Sequence, residues 1–340
     1  MGQSPDSASY NNDCIGLPLV QGNADMKNRI TVPQRYSSEP TKIADKDTII
    51  LSVRAPVGTV GRSDQKVCLG RGVCGIVSEE QEFMYQYLLK HEKSWKSIEQ
   101  GGTFTAINSD DIKSFKIYIP TKTESTKIAD FLSLVDERIE KQRQLVEVLK
   151  RYKRGVISRL LNELSDSEQI PLSTLVSSGV VKLGRGNVIP KYSKDEKRIH
   201  PVYSSSVQKN GLMGYFDSYM FDQELITWSI DGGGHFFYRK KHKFNVTNVC
   251  GIFEVDTKKY NYKFVAECLI EQHARKHFDY QSKAHPSVII DMYKLPVVPI
   301  HIQEKWSELF DLLDTQIMTS EKYLLCLGEF KQGLLQQMFI

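Results

Sequence analysis

Residues 239–243, Arg-Lys-Lys-His-Lys, place five basic or titratable side chains in a row. Aromatic residues surround them, with Phe236, Phe237 and Tyr238 before and Phe244 after. Cations neutralise phosphates, while Arg, Asn, Gln and Ser offer the donors and acceptors that base edges require. Lys182, Arg185, Lys191, Lys194 and Arg198 add positive charge upstream. A second group, Lys27, Arg29, Arg35, Arg54, Arg62 and Arg71, stands among Gln, Asn and Ser near the start of the chain. The candidate nucleic-acid contacts are therefore Gln21, Asn23, Arg54 and Arg71 in the first group. In the second they are Arg185, Asn187, Ser205, Arg239, Lys240, Lys241 and Lys243. The competing readings are a solvated basic hairpin for 239–243 and simple turn residues for Gln21 and Asn23.

Other chemistry finds no support. No G-x-x-x-x-G-K-[ST] run is present, which excludes a P-loop. Asp231-Gly232-Gly233-Gly234 lacks the spacing of a dinucleotide loop, and a loop beside nucleic acid suits it better. His273 and His277 stand four apart on an expected helix, but Glu271 precedes the pair, so the H-E-x-x-H order is missing. No Gly-rich cofactor motif is followed by the Asn-Pro-Pro-aromatic signature of an adenine methyltransferase. Asp195-Glu196-Lys197 lacks the flanking strands of a nuclease site. Neither catalysis nor a metal site is expected in this chain.

Composition narrows the class. The 340 residues are 25% charged and 40% hydrophobic, with a net charge of +4, which is ordinary globular composition and enough chain for about two domains. The mildly basic balance permits nucleic-acid binding without requiring it. No apolar run reaches the roughly 18 residues of a membrane helix, and Met1–Asn12 has no apolar core of a secretory signal. Cys14, Cys68, Cys74, Cys250, Cys268 and Cys326 form no C-x-x-C pair, a pattern that suits reduced, structural thiols in a cytoplasmic protein.

The elements that must position the candidate residues are duplicated. A shift of 178 lays Ile128–Leu161 on Trp306–Phe339, so that Asp136 meets Asp314, Ile139 meets Ile317, Leu149 meets Leu327, Lys153 meets Lys331 and Gly155 meets Gly333. Each segment follows an apolar stretch ending in proline, Phe115–Pro120 and Leu295–Pro299. Fainter echoes pair Gln21-Gly22-Asn23 with Arg185-Gly186-Asn187, and Val73-Cys74-Gly75-Ile76 with Val249-Cys250-Gly251-Ile252. Both segments carry apolar residues at heptad spacing: Ile128, Leu132, Val135, Ile139, Val146, Leu149, Val156 and Leu160, then Trp306, Phe310, Leu313, Ile317, Leu324, Leu327, Leu334 and Met338. A 3.5-residue period over about four heptads predicts a coiled coil. The expected helix–helix packing residues are Ile128, Leu132, Val135, Ile139, Leu149, Phe310, Leu313, Ile317, Leu324 and Leu327. Gln142 and Ser320, then Lys153 and Lys331, interrupt both seams at matching places. Such residues either fix register inside the seam or face water.

The expected architecture is α+β: two similar mixed heads, 1–123 and 164–300, and two long helices, 124–163 and 301–340, each about 50–60 Å. Antiparallel packing of the helices gives a dumbbell with approximate two-fold symmetry. Thr48–Val53, Phe115–Ile119, Glu224–Ser229 and Asn248–Val255 read as strands, and Glu80–Ser94 and Tyr262–His277 as helices.

The residues resemble those of the DNA-specificity subunits of type I restriction-modification enzymes. The first head carries Gly2-Gln3-Ser4-Pro5, Tyr10-Asn11, Gly16-Leu17-Pro18, Gln21-Gly22-Asn23-Ala24-Asp25, Ser52-Val53-Arg54-Ala55-Pro56-Val57-Gly58, Gly70-Arg71-Gly72 and Gly101-Gly102-Thr103-Phe104. The second is similar to another subgroup through Tyr203-Ser204-Ser205, Asn210-Gly211 and Gly214-Tyr215. The resemblance implies a non-catalytic subunit whose two target-recognition domains each read half of a split, asymmetric double-stranded DNA target. The helices would act as a ruler. The partners implied are two methyltransferase subunits and ATP-dependent restriction subunits, and S-adenosylmethionine, Mg²⁺ and ATP would belong to those partners. One departure is visible. Gln169–Gly179 opens the second head and has no counterpart before Gly2-Gln3-Ser4-Pro5, which bears on how the first head docks its methyltransferase. The alternatives are a self-standing DNA-binding scaffold and a fragment of a single-chain restriction-modification enzyme.

Overall fold

The computed structural model describes residues 1–95, 106–189, 198–231, 233–276 and 284–339. Its contacts divide the chain into two units, Met1–Arg143 with Lys322–Ile340, and Gln144–Glu321. The division falls inside both long helices, and each unit keeps part of each.

In the first unit, the described strands are β1 (Tyr10–Asn11), β2 (Leu17–Val20), β3 (Met26–Lys27), β4 (Ile30–Thr31), β5 (Arg35–Ser37), β6 (Ile43–Ala44), β7 (Ile49–Ser52), β8 (Val60–Arg62), β9 (Val67–Leu69) and β10 (Val73–Ile76). They form two five-stranded sheets, ordered β1-β5-β2-β9-β6 and β10-β7-β8-β4-β3. The unbroken apolar run around Ile49–Leu51 reflects burial on both faces. Ile50 packs with Val20, Val67, Leu69 and Val73, while Ile49 and Leu51 pack with Met84, Tyr85 and Leu88 of helix α1 (Gln81–Lys90). A short helix α2 (Ser109–Ser114) follows, with Asn108 as its N-cap accepting from Asp110 and Asp111 backbone N–H at 2.7 and 2.9 Å. The first long helix, α3 (Lys122–Glu163), spans 42 residues.

The second unit contains β11 (Gln169–Pro171), α4 (Leu172–Ser177), β12 (Val181–Arg185), β13 (His200–Tyr203), β14 (Leu212–Phe216), β15 (Phe221–Ser229), β16 (Phe236–Val246), β17 (Cys250–Val255), α5 (Tyr262–Ala274), α6 (Pro286–Met292) and β18 (Lys294–Pro296). The last long helix, α7 (Ile300–Met338), spans 39 residues. Six strands order as β12-β17-β15-β16-β13-β14, with β13 and β16 parallel. The core joins Ile226, Trp228, Phe236 and Phe253 of the sheet to Phe264, Val265 and Leu269 of α5. Asn261 caps α5, its side-chain oxygen accepting from Phe264 N at 3.1 Å.

The expected strand Phe115–Ile119 does not form. Its counterpart does, because β11 pairs with β18 through Ile170 and Leu295. A strand needs a partner edge. In the first unit Phe115 and Ile117 turn inward while Tyr118 and Ile119 are 76% and 52% exposed.

Within each unit the long helices run antiparallel. In the first, Ala129 and Leu132 of α3 pack with Leu335 and Phe339 near the end of the chain, and Asp136 meets Lys331. In the second, Lys150 meets Glu321, Lys153 meets Asp314, and Ile157 and Leu160 share a core with Phe310. Of the expected seam, Leu132, Phe310 and Leu313 are buried, and Ile128, Val135, Ile139, Leu149, Ile317, Leu324 and Leu327 are half-buried. Gln142 and Lys331 are buried, and Lys153 and Ser320 half-buried. The polar interruptions therefore belong to the seam and do not face open water.

Candidate nucleic-acid interface

In the first unit, three turns meet at one edge. Val20 O accepts from Gly70 N at 2.8 Å, and Val53 N donates to Gly72 O at 2.9 Å. A Cβ on Gly72 would lie 2.0 Å from Gln21 O, so only glycine admits this approach. The opening residues join the same knot, with Gly2 N donating to Val73 O at 2.9 Å and Arg71 N to Ser4 Oγ at 3.3 Å. The structure thus brings Gln21, Asn23, Arg54 and Arg71 together although they span 51 positions of sequence. Arg54, Arg71 and Gln21 are exposed, and Asn23 is half-buried. Gln21 is also a turn residue. Its N–H donates to Asp25 Oδ2 at 2.7 Å, and its side chain donates to Tyr10 Oη at 3.1 Å. Arg29 and Arg62 stand apart from this edge group. They are paired with Glu92 and Glu82, and Arg62 lies 3.7 Å over the Tyr85 ring.

In the second unit, Arg185 ends β12 and Asn187 forms an isolated parallel bridge with Thr247. Thr247 N donates to Tyr203 O at 2.9 Å, which places the exposed Asn187 near half-buried Ser205. The basic run lies in β16 and does not act as one patch. A register shift opposite Gln223–Leu225 interrupts its alternation. Arg239 is 2% exposed. Its guanidinium stacks 3.7 Å over Tyr203, Nε donates to Thr227 Oγ1 at 3.0 Å and Nη1 donates to Asn210 O at 2.8 Å. Burial pulls the Arg239 pKa down to about 10, against the opposing influence of Tyr203 and Cys250. Lys240 turns to Asp311 of α7 at 3.2 Å. His242 accepts or donates to Tyr203 Oη at 3.1 Å and stacks on Phe244. Lys243 lies 4.7 Å over the Tyr219 ring. The surface expected of Arg239 is therefore not there, because a strand places successive side chains on opposite faces and the shift redirects the rest. Lys241 and Lys243 remain exposed. Two rings organise these cations: Tyr203, which the sequence offers only within the Tyr203-Ser204-Ser205 motif, and Tyr219, which it does not single out. The aromatic flanks were the signal, but the partners come from β13 and the β14–β15 turn.

His273 is committed to the interior. Its Nδ1 is 2.7 Å from Tyr293 Oη and its Nε2 is 3.1 Å from His235 Nδ1. Burial holds both histidines below the usual imidazole value, and the neighbouring His235 adds to this at His273. His277, Lys191, Lys194, Gly232, the Asp195–Lys197 run and the Gly101–Phe104 motif lie outside the described residues. Among the described residues, no three His, Cys, Asp or Glu side chains are placed to share a metal ion, and no helix is long and apolar enough to cross a membrane.

Comparison with known proteins agrees with this duplicated arrangement. The family model described as the type I restriction modification DNA specificity domain matches twice, at residues 2–151 and 177–325. A putative type I restriction enzyme MjaX specificity subunit of Methanocaldococcus jannaschii is 37% identical over 165 residues, which is 47% of this chain and 39% of the relative. The type I restriction enzyme MpnII specificity subunit of Mycoplasma pneumoniae is 32% identical over 145 residues, 41% of this chain and 43% of the relative. The matches thus span less than half the length of these two relatives. The crystal structure of a type I restriction-modification system S subunit from M. genitalium shares the fold, with a TM-score of 0.63 at 19% identity over 100% of this chain and 92% of that one. With the specificity domain matched in both copies across most of its length, the chain belongs to the type I restriction-modification DNA specificity family.

Proposed function

We propose that this chain is the DNA-reading subunit of a type I restriction-modification complex, each unit reading one half of an asymmetric bipartite target. The observation that carries this reading is the duplication itself. Each unit presents its own exposed set of polar and cationic residues, Gln21, Arg54 and Arg71 in one and Arg185, Asn187 and Lys243 in the other. The sets differ, so the two half-sites differ. Helices of 42 and 39 residues, each about 60 Å, set the gap between them.

A second heptad phase supports docking of two methyltransferase subunits. Phe131, Leu134, Leu145 and Tyr152 of α3 are 43%, 64%, 44% and 60% exposed. Their counterparts 178 residues later, Leu309, Leu312, Tyr323 and Phe330 of α7, are 37%, 68%, 42% and 54% exposed. Exposed apolar residues repeated at helical spacing suit a partner helix. The first unit holds Phe131, Leu134, Tyr323 and Phe330, and the second holds the other four, which provides two equivalent faces. The chain itself carries no catalysis. The methyltransferase subunits hold S-adenosylmethionine, and the restriction subunits use ATP and Mg²⁺.

The test is reconstitution with a methyltransferase subunit of a type I restriction-modification system. The expected result is a complex of two methyltransferases per chain that methylates adenine in both halves of one split sequence. Leu134→Asp with Leu312→Asp should reduce the stoichiometry while leaving the helix pair folded. Methylation by the chain alone, or tight specific DNA binding without any methyltransferase association, would overturn the reading.

A further inference from the structure

The hairpin from β13 to β14 passes through three consecutive residues in the left-handed region: Lys209 at φ 48°, Asn210 at φ 55° and Gly211 at φ 80°. Glycine adopts this conformation freely, but neighbouring Lys and Asn do so only where the surroundings over-determine the turn. The determinant here is Arg239. From its buried position it donates to Asn210 O at 2.8 Å, is fixed from behind by Thr227 Oγ1 at 3.0 Å, and is clamped in plane by Tyr203 at 3.7 Å. Its Nη2 lies 3.1 Å from where a Cβ on Gly211 would sit, so the strut also fills the space a larger residue would need. Ser204 N closes the loop onto Gly211 O at 2.8 Å, and Ser206 Oγ accepts from Gln208 N at 3.2 Å.

The outcome is a rigid loop with Gln208, Lys209 and Asn210 exposed at its tip. Gln and Asn are the side chains that pair bidentately with adenine edges, and a lysine between them reaches phosphate or guanine. A fully buried guanidinium is an expensive means of bracing a turn unless the turn's geometry matters. Resting on the DNA-reading function above, we propose that Ser204–Gly211 is the base-reading loop of the second unit, with Gln208 and Asn210 as base contacts. Arg239 is then a positioning residue beneath the loop and does not contact phosphate.

The experiment uses the full chain in its methyltransferase complex, with methylation of a randomised bipartite DNA library read by sequencing. Gln208→Ala with Asn210→Ala should relax the preference at one or two positions of one half-site by about 10-fold or more, leaving the other half-site and the spacing unchanged. Arg239→Lys keeps the charge but loses the planar, forked support. It should relax the same half-site positions while leaving the salt dependence of binding unaltered, whereas loss of a phosphate contact would flatten that dependence and spare sequence preference. If Arg239→Lys unfolds the second unit by thermal melting, the double substitution still decides, because it trims two exposed side chains and keeps the Asn210 carbonyl that Arg239 braces. Wild-type preference in the Gln208→Ala/Asn210→Ala complex, or equal weakening of all sequences, overturns the proposal alone. Failure of the wild-type complex to methylate any bipartite site overturns the DNA-reading function on which it rests.

Discussion

The two units solve one problem with different chemistry. In the first, Asp136 of α3 accepts from Lys331 of α7 at 2.5 Å and from the neutral amide of Gln86 in α1 at 2.8 Å. In the second, the duplicated pair reappears with the helices exchanged: Asp314 of α7 accepts from Lys153 of α3 at 2.8 Å. There the head helix supplies an ion pair instead of an amide. Lys263 donates to Asp314, and Glu267 accepts from Lys153 at 2.7 Å and lies 2.9 Å from Lys263. The aspartate and lysine belong to the repeat, and the head brings whatever donor completes it. A seam built this way accepts different heads, provided that each offers a hydrogen bond to the same carboxylate. The charge balance differs as a result. Burial of Lys331 outweighs its single carboxylate, and Arg29 and Arg62 oppose it further, so its pKa falls. Burial opposes the charge on Lys263 too, but Glu267 and Asp314 together outweigh it and its pKa rises.

The largest break in the comparison lies beside these clamps. Leu132 and Phe310 occupy equivalent seam positions and are 0% and 1% exposed. Phe310→Ala should cost about 3–5 kcal/mol and Leu132→Ala about 2–5 kcal/mol. Hydrogen exchange resolved by unit should show each loss confined to its own head. Equal loss of protection in both units after either substitution would mean that the seam transmits strain and the halves are not independent.

Next come the clamps. Removing Asp314 strands two lysines against one glutamate, whereas removing Asp136 strands only Lys331. Both aspartates are more than a third exposed, so the cost is below that of a fully buried pair. Asp314→Ala should lower stability by about 2–4 kcal/mol and Asp136→Ala by about 1–2 kcal/mol. Denaturant unfolding monitored separately in each unit measures the difference, and the reverse order would show that Gln86, not the ion pair, is the stronger partner.

How far this was legible in the sequence varied with how local the cause was. The heptad follows from spacing, because a helix brings i, i+3 and i+4 to one face wherever it sits, but the Asp136–Lys331 and Asp314–Lys153 pairs join two helices and depend on their register. Phe115–Ile119 has the composition of a strand, but pairing depends on a remote edge, which in the second unit is Gln169–Pro171. The basic run reads as one patch in the sequence, but residues adjacent in a strand point to opposite faces. The register shift in β16 sends Arg239 inward, Lys240 toward Asp311 and Lys243 to Tyr219. The first-unit candidates fared otherwise, since Gly70 and Gly72 draw Arg71 to Gln21 through close backbone contacts.

Titration sharpens the comparison with smaller effects. Asp314 is partly buried, which alone would raise its pKa, but its lysine partners outweigh this and lower it below 3.8. Its contribution is present above that value and lost as pH falls through the folded pKa. His235 and His273, lowered by burial, also favour folding above 6.5 and withdraw that support as pH falls through their folded values. The second unit should therefore lose exchange protection progressively from about pH 6.5 downward. In alkali the units should diverge. The support from Lys263 is complete below 10.5 and disappears as pH rises through its raised folded value. The burial penalty on Lys331 is instead relieved as pH rises through its lowered value toward 10.5. Parallel pH profiles in the two units would show that the clamps are equivalent despite their different partners.

The smallest effect lies on the surface, where the duplication is incomplete. Lys150 pairs with Glu321 at 2.8 Å in the second unit, with side chains 42% and 46% exposed. The corresponding positions in the first unit are Gly328 and Arg143, so no equivalent pair exists there. An exposed bridge of this kind contributes about 0–1 kcal/mol and weakens with salt. Lys150→Ala should therefore shift stability by less than about 1 kcal/mol, with the shift vanishing at high ionic strength. Installing the pair in the first unit by Gly328→Lys with Arg143→Glu should gain only through the glycine, whose replacement removes a backbone penalty of about 1 kcal/mol, because Arg143→Glu breaks the Arg143–Glu140 pair and sets two glutamates three residues apart. A double-mutant cycle separates the two contributions. If Gly328→Lys alone accounts for the whole gain, the bridge is dispensable, and the apolar seam with the Asp136–Lys331 and Asp314–Lys153 pairs holds the two helices in register.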